Sequence, residues 1–308
     1  MTDKQNRVAI LLSTYNGERF LPAQLDSLLA QSHAGCDIWV RDDGSSDQSL
    51  AIVRRYASIH PNIHIQAGEN FGFVASFYEL LQNVGAGYGF YFFCDQDDVW
   101  LPSKVSRALA LLEGEQGSAL YCSRTQYVDR DLQPIGPSPD YDRRCIGWGN
   151  ALVQNIATGC TMALNRAARE RLLAQRPGFC LAHDWWAYLV VSAFGQVVFD
   201  SESHILYRQH GSNTIGMQKQ GLAGQWARVQ RFWRRLRQAG PGWIDQLSEF
   251  DQLHGADLAD AQRRQLRMLI RSRSSWTTAL RASAQRYYWR MSKVDTLILR
   301  VLLALRLY

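Results

Sequence analysis

Short apolar runs recur along the first hundred residues, each closed by a polar cluster and followed by a stretch of helical spacing. The first run, residues 8–12, ends at "STYNG", and residues 19–31 then repeat apolar positions at helical intervals. The second, 37–40, ends at "RDDGSSD" and precedes a helical pattern over 46–58. The third, 63–65, passes through "GENFG" into a helix reaching Asn83, and the fourth covers 90–94. Strands alternating with helices predict βαβ units and a parallel sheet. Ligands of such sheets bind at the carboxyl ends of the strands. The segments "STYNG", "RDDGSSD" and "CDQDD" all fall at such ends.

The fourth run stops at three carboxylates, Asp95, Asp97 and Asp98. Like charges at one strand tip repel, so a cation is expected beside them. An oxygen-rich, sulfur-free set suits a hard divalent ion, Mg²⁺ or Mn²⁺. Taken alone, the segment also reads as a solvated turn before a helix starting near Pro102, with Asp98 placed to cap that helix. No GxGxxG follows the first strand, "GAGYG" precedes a strand instead of opening a helix, and GxxxxGK[ST] is absent.

Composition changes this picture in one place. A 308-residue chain with 46% hydrophobic and 20% charged residues is ordinary for a globular protein. Six cysteines without a CxxC pair favour reduced, buried thiols and a cytoplasmic address. The N-terminus shows no signal-peptide pattern, and no apolar stretch reaches transmembrane length. The net charge of +6, however, conceals a split. Residues 221–308 hold 15 Arg and one Lys against six acidic residues, a net +10, whereas residues 1–220 carry −4. A boundary is expected at "GMQKQGLAG", separating a body over 1–220 from a basic, aromatic-rich helical extension over 221–308. "QWARVQRFWRRLRQAGPGWI" and the last thirty or so residues mix Arg with Trp and Leu at helical spacing. Such helices suit an anionic membrane surface, on the inner face of the cytoplasmic membrane. Packing or a homo-oligomer contact is the second reading, and nucleic acid ranks last.

The segments "STYNGERFLPAQLDSLLAQS", "VRDDGSSDQS", "NFGFVASF", "CDQDDVWLPSK", "TGCTMALN", "HDWW" and "YRQHGSN" occur in the order seen in family 2 glycosyltransferases of the GT-A fold. Over about residues 7–215 the chain most resembles bacterial rhamnosyltransferases of cell-surface polysaccharide synthesis. The resemblance implies an α/β GT-A fold, a mostly parallel central sheet flanked by helices, with the C-terminal helices as an extension. It implies metal-dependent, inverting transfer of a sugar from a nucleotide-sugar donor to a saccharide or lipid-linked acceptor, with dTDP-L-rhamnose as donor and a UDP-hexose as the near alternative. Two readings of other classes are a metal-dependent nucleotidyltransferase and a non-catalytic membrane scaffold. The first is opposed by the lack of a glycine-rich, basic first loop.

The resemblance also implies roles. Asp95 and Asp97 fill the DxD pattern, Asp97 contacting the metal and Asp95 holding the ribose or the ion through water. Asp42 accepts the imide N–H of uracil or thymine, which cytosine and adenine do not offer. Asp43 or Ser45 is left to build a turn on Gly44. Thr14, Tyr15 and Glu18 line the same pocket, with Tyr15 stacking on the base. Asp184 is the general base, ionised at neutral pH if its pKa stays near 4, with a helix N-cap as the alternative. Arg208 grips phosphate and His210 closes on the metal. Gly159 lets the chain pass close to a ligand, and Trp185 and Trp186 either stack on a sugar or fill core.

Overall fold

The four apolar runs become four adjacent strands in the computed structural model, which describes residues 6–209 and 242–308. Strands β1 (Val8–Thr14), β2 (Cys36–Asp42), β3 (Ile63–Ala67) and β4 (Phe90–Cys94) pair in the order β3-β2-β1-β4, all parallel. Val8 through Leu12 are all fully buried, because β1 lies between two strands and is covered on both faces. Helices α1 (Leu21–Leu29), α2 (Ser49–Ile59) and α3 (Phe73–Asn83) make the crossovers. Register decides where the polar segments go. Thr14 lies opposite Asp42 and Leu12 opposite Cys94, so Tyr15, Asp43 and Asp95 leave the sheet at one edge.

Beyond β4 the sheet is mixed. Its remaining strands are β5 (Val99–Trp100), β6 (Ala119–Val128), β7 (Pro134–Pro137), β8 (Ala163–Asn165) and β9 (Gln196–Arg208). β8 runs antiparallel to both β4 and β6, β9 is parallel to β6, and β5 and β7 pair antiparallel at the periphery. Along this stretch of chain the helices are α4 (Lys104–Leu112), the one-turn α5 (Trp148–Ala151), which belongs to the second unit, α6 (Arg166–Ala174) and α7 (His183–Phe194). Ser103, not Asp98, occupies the N-cap of α4. The expected capping role of Asp98 is therefore wrong: its carboxylate instead accepts the backbone N–H of Arg208 at 3.0 Å, closing the acidic turn onto the end of β9.

Residues 6–147, 155–176 and 182–208 form one compact unit with this sheet. A second unit combines residues 148–154 and 177–181 with Gln209 and residues 242–308. Its described helices are α5, α8 (Trp243–His254), α9 (Asp260–Ser272), α10 (Trp276–Ala284) and α11 (Lys293–Leu305). Phe250, Leu266, Leu269, Tyr288 and Leu303 are buried within it. The two short segments are stitched in by specific bonds: Asn150 Nδ2 donates to the Trp289 carbonyl at 3.1 Å, and the Leu181 N–H donates to Gln246 Oε1 at 2.9 Å. A side chain at Gly149 would run into the Tyr287 carbonyl and the Trp289 ring, so only glycine fits. The boundary expected near residue 220 lies outside the described residues. Among the described residues no helix is long and apolar enough to cross a membrane.

Candidate active site at the strand tips

At the ends of β1 and β2, backbone and side chains together build a polar pocket. Asp42 is buried; its Oδ1 accepts the Ser45 N–H at 3.0 Å, while its Oδ2 is buried with no hydrogen-bond partner among the described residues. A buried acceptor left unpaired is costly, so a donor brought by a ligand fits it. Asp42 itself thus makes the turn over Gly44, whose φ is +79°. Asp43 does something else. It pairs with the buried Arg41 and accepts the N–H groups of Phe71 and Gly72 at 3.0 and 2.9 Å, pinning the "ENFG" loop.

Tyr15 is 48% exposed, with its ring available for stacking. Thr14 is buried, and its hydroxyl donates to Gln96 Oε1 at 2.7 Å; the same oxygen accepts the Tyr15 N–H at 2.8 Å. Gln96, the middle residue of the acidic motif, therefore clamps the first loop to the second, a role the sequence reading missed. Glu18 is fastened differently from the expectation. Its carboxylate accepts the N–H of Gln48, the N-cap position of α2, at 2.9 Å, tying the first loop to that helix.

The acidic tip contains its own cation. Lys104 is fully buried on the inner face of α4 with Val105, Ala108 and Leu112, and its Nζ donates to the Cys160 carbonyl at 2.9 Å. Burial draws its pKa down to about 8, against the pull of Cys160, Cys94, Asp98 and Asp95. The Cys160 thiol bonds to both Asp95 and Asp98, and one ligand atom from each of the three lies within 4.8 Å of the others. This cluster brings a sulfur beside two of the carboxylates, and among the described residues it shares Asp95 with the expected set of Asp95, Asp97 and His210. Burial followed by the two carboxylates pushes the Cys160 thiol far up, so it stays protonated and donates hydrogen bonds instead of acting as a soft ligand. His210 lies outside the described residues.

Asp95 and Asp97 are half-buried and Asp98 fully buried. Withdrawal from water, then Asp97 and Asp184, push the Asp95 pKa up to about 7; burial, Asp97 and Asp95 push Asp98 well up. Carboxyls crowded so closely that they resist ionising without a cation fit a hard divalent ion held on Asp95 and Asp97. Arg208 does not fit the phosphate role expected of it. Its Nε donates to the Asp97 carbonyl at 2.9 Å, its Nη1 to the Arg130 carbonyl, and its guanidinium lies 4.7 Å from the Phe20 ring centre. Buried in that way, it locks the backbone of the acidic turn.

Asp184 sits in the first turn of α7, buried, with Ala182 as N-cap, so the capping alternative does not hold. Its carboxylate accepts the Gly159 N–H at 3.0 Å and the Trp185 N–H at 2.6 Å. Burial raises its pKa to about 6 despite these bonds and one with Asn155, well above the value near 4 expected from sequence. Its charge helps to raise Asp95, which places the two within electrostatic reach. Behind it, His183 stacks on Phe77 with ring centres 4.1 Å apart and meets the edge of Phe93 at 4.9 Å. This burial holds the imidazole neutral, with its pKa lowered to about 3. Gly159 packs directly on both residues: a Cβ there would lie 2.9 Å from His183 Nε2 and 3.5 Å from Asp184 Cβ. Trp186 is fully buried and presents no face to a sugar, which corrects the stacking reading for it; Trp185 is half-buried.

Comparison with known proteins agrees with this geometry. The family model "Glycosyl transferase family 2" matches residues 9–172. The chain is 24% identical over 217 residues to dTDP-rhamnosyl transferase RfbG of Shigella flexneri, covering 67% of this chain and 73% of that protein. It is 27% identical over 238 residues to the putative teichuronic acid biosynthesis glycosyltransferase TuaG of Bacillus subtilis, covering 76% and 88%. Among solved structures, S. aureus TarS 1–349 in complex with UDP-GlcNAc superposes with a TM-score of 0.61 at 16% identity, covering 96% of this chain and 86% of that one. That likeness supports the GT-A arrangement of strands and helices.

Proposed function

Because the chain belongs to glycosyl transferase family 2, we propose that it transfers L-rhamnose from dTDP-L-rhamnose, with inversion, to a hydroxyl of a saccharide or lipid-linked saccharide in envelope polysaccharide synthesis. The observation that carries this reading is that Asp184 and Asp97 both lie within electrostatic reach of Asp95, while Asp42, at the end of the neighbouring strand, keeps an unpaired acceptor. Asp42 Oδ2 takes the imide N–H of the base, and Tyr15 stacks on its ring. Asp184, ionised above pH 6, accepts the proton of the acceptor hydroxyl as that oxygen attacks the anomeric carbon. The bond from that carbon to the diphosphate breaks on the opposite face, which inverts the centre. Mg²⁺ or Mn²⁺ held by Asp95 and Asp97 would neutralise the departing diphosphate. Arg208, Lys104, Cys160 and Gln96 hold these groups in place. In this reading residues 1–220 carry the transferase and residues 221–308 the extension.

The rhamnosyl donor is supported by the likeness to RfbG. A UDP-hexose is the second reading, because uracil offers Asp42 the same imide N–H as thymine. Calorimetric titration of dTDP, UDP and dTTP with and without Mn²⁺, followed by transfer assays over a donor panel, tests both. Metal-stimulated binding of dTDP and turnover of dTDP-rhamnose are expected. Preference for a triphosphate would instead indicate nucleotidyl transfer, and no diphosphate binding would end the enzyme reading. Asp97→Ala is expected to abolish the metal stimulation with an unchanged melting temperature.

A further inference from the structure

The last helix carries apolar side chains on two opposite faces. Leu299 and Leu303 are buried inside the helical unit, whereas Val294, Leu297, Ile298, Val301 and Leu305 are between 43% and 63% exposed. At 3.6 residues per turn these five fall within an arc of about 100°, facing away from the buried pair. Trp276 and Leu280, one turn apart on α10, are each 56% exposed. Arg306 at the end of α11 places its guanidinium 5.2 Å from the Trp276 ring centre, joining the two exposed surfaces at that end.

Charge decides what such a surface meets. Residues 261–308 contain eleven basic side chains and one acidic one. Arg271, Arg281, Arg286 and Lys293 are exposed. A second copy laid on this face would bring like charges together. Residues 210–241 would do the same, since they hold six basic and no acidic residues. An anionic lipid surface offers both missing complements: phosphate for the arginines and an acyl boundary for the leucines and Trp276. With 13 residues, α11 is too short to span the hydrocarbon, so the helix lies in the interface plane. We propose that the α10–α11 face, centred on Leu297 and Val301, docks the protein peripherally on an anionic bilayer.

Sedimentation of the full chain with phosphatidylglycerol-rich vesicles, against pure phosphatidylcholine vesicles, tests the proposal. Wild-type protein is expected to pellet with the anionic vesicles only, and less so as salt is raised. Two double variants, Leu297→Glu with Val301→Glu and Leu297→Ser with Val301→Ser, are expected to weaken that binding at least tenfold at an unchanged melting temperature. The serine pair separates lost apolar contact from added repulsion. Equal pelleting of wild type and both variants would overturn the proposal, as would equal binding to phosphatidylcholine. So would a wild-type dimer in analytical ultracentrifugation that the glutamate pair dissociates while vesicle affinity stays the same.

Discussion

Replacing Gly159 by alanine tests whether the wall behind Asp184 is as tight as its contacts imply. The added methyl would lie 2.9 Å from His183 Nε2 and 3.3 Å from its Cε1, closer than packed atoms tolerate. The ring is stacked on Phe77 and edged by Phe93 and Phe73, so making room means shifting that aromatic cluster toward the small cavity it shares with Tyr78, Leu81 and Leu172. The strain therefore passes to the start of α7, and overpacking of this kind costs about 1–3 kcal/mol. For a unit of this size that corresponds to a melting temperature lower by roughly 2–10 °C. The activity loss is the larger effect: moving a catalytic carboxylate by an ångström costs on the order of 10²-fold in rate. Gly87→Ala is the control, since a Cβ there meets nothing within 4 Å. Calorimetric melting and steady-state transfer are compared for Gly159→Ala, Gly87→Ala and Gly159→Ala combined with His183→Ala. Measured beside His183→Ala alone, the double variant is expected to lose less stability than the sum of the two single changes, because removing the ring makes room for the methyl. A Gly159→Ala protein that melts and turns over like Gly87→Ala would refute the reasoning.

Asp42→Asn keeps the Ser45 bond but can turn an amide donor toward the base, so affinity for dTDP and UDP is expected to fall on the order of 10²-fold by calorimetry. Undiminished dTDP affinity would remove Asp42 from base recognition. Lys104→Met removes the buried ammonium that donates to the Cys160 carbonyl and is expected to cost about 1–3 kcal/mol in denaturant unfolding, because that carbonyl loses its donor. A variant as stable as wild type would mean that the carbonyl finds another donor.

Much of the first half of the fold was legible because its information is local. Runs such as Phe90–Cys94 are bounded by turn residues, and the sheet register carries their polar ends to one edge. What escaped the sequence reading depends on partners far along the chain. Arg208 reads as a phosphate ligand until β9 brings its Nε 111 residues back onto the Asp97 carbonyl. Cys160 reads as a small residue in a loop until its carbonyl meets Lys104 and its thiol meets two carboxylates. Lys104 itself was within reach, since it shares the inner face of α4 with Val105, Ala108 and Leu112. Trp185 and Trp186 had no local distinction, because α7 is apolar nearly all round and only packing separates the buried ring from the half-buried one. The stitching of residues 148–154 and 177–181 into the C-terminal helices had no sequence signal.

The central claim is that Asp184 takes the acceptor proton, and the pH dependence of kcat/KM for transfer, measured on wild type beside Asp184→Asn, tests it most directly. A base works only when deprotonated, and burial holds this carboxyl at a pKa of about 6, so wild-type activity is expected to fall as pH drops through 6. The asparagine variant is expected to be slower by about 10² or more at neutral pH and to lose that inflection. Near-wild-type transfer by Asp184→Asn, or a slow variant that keeps the inflection near pH 6, would contradict the account.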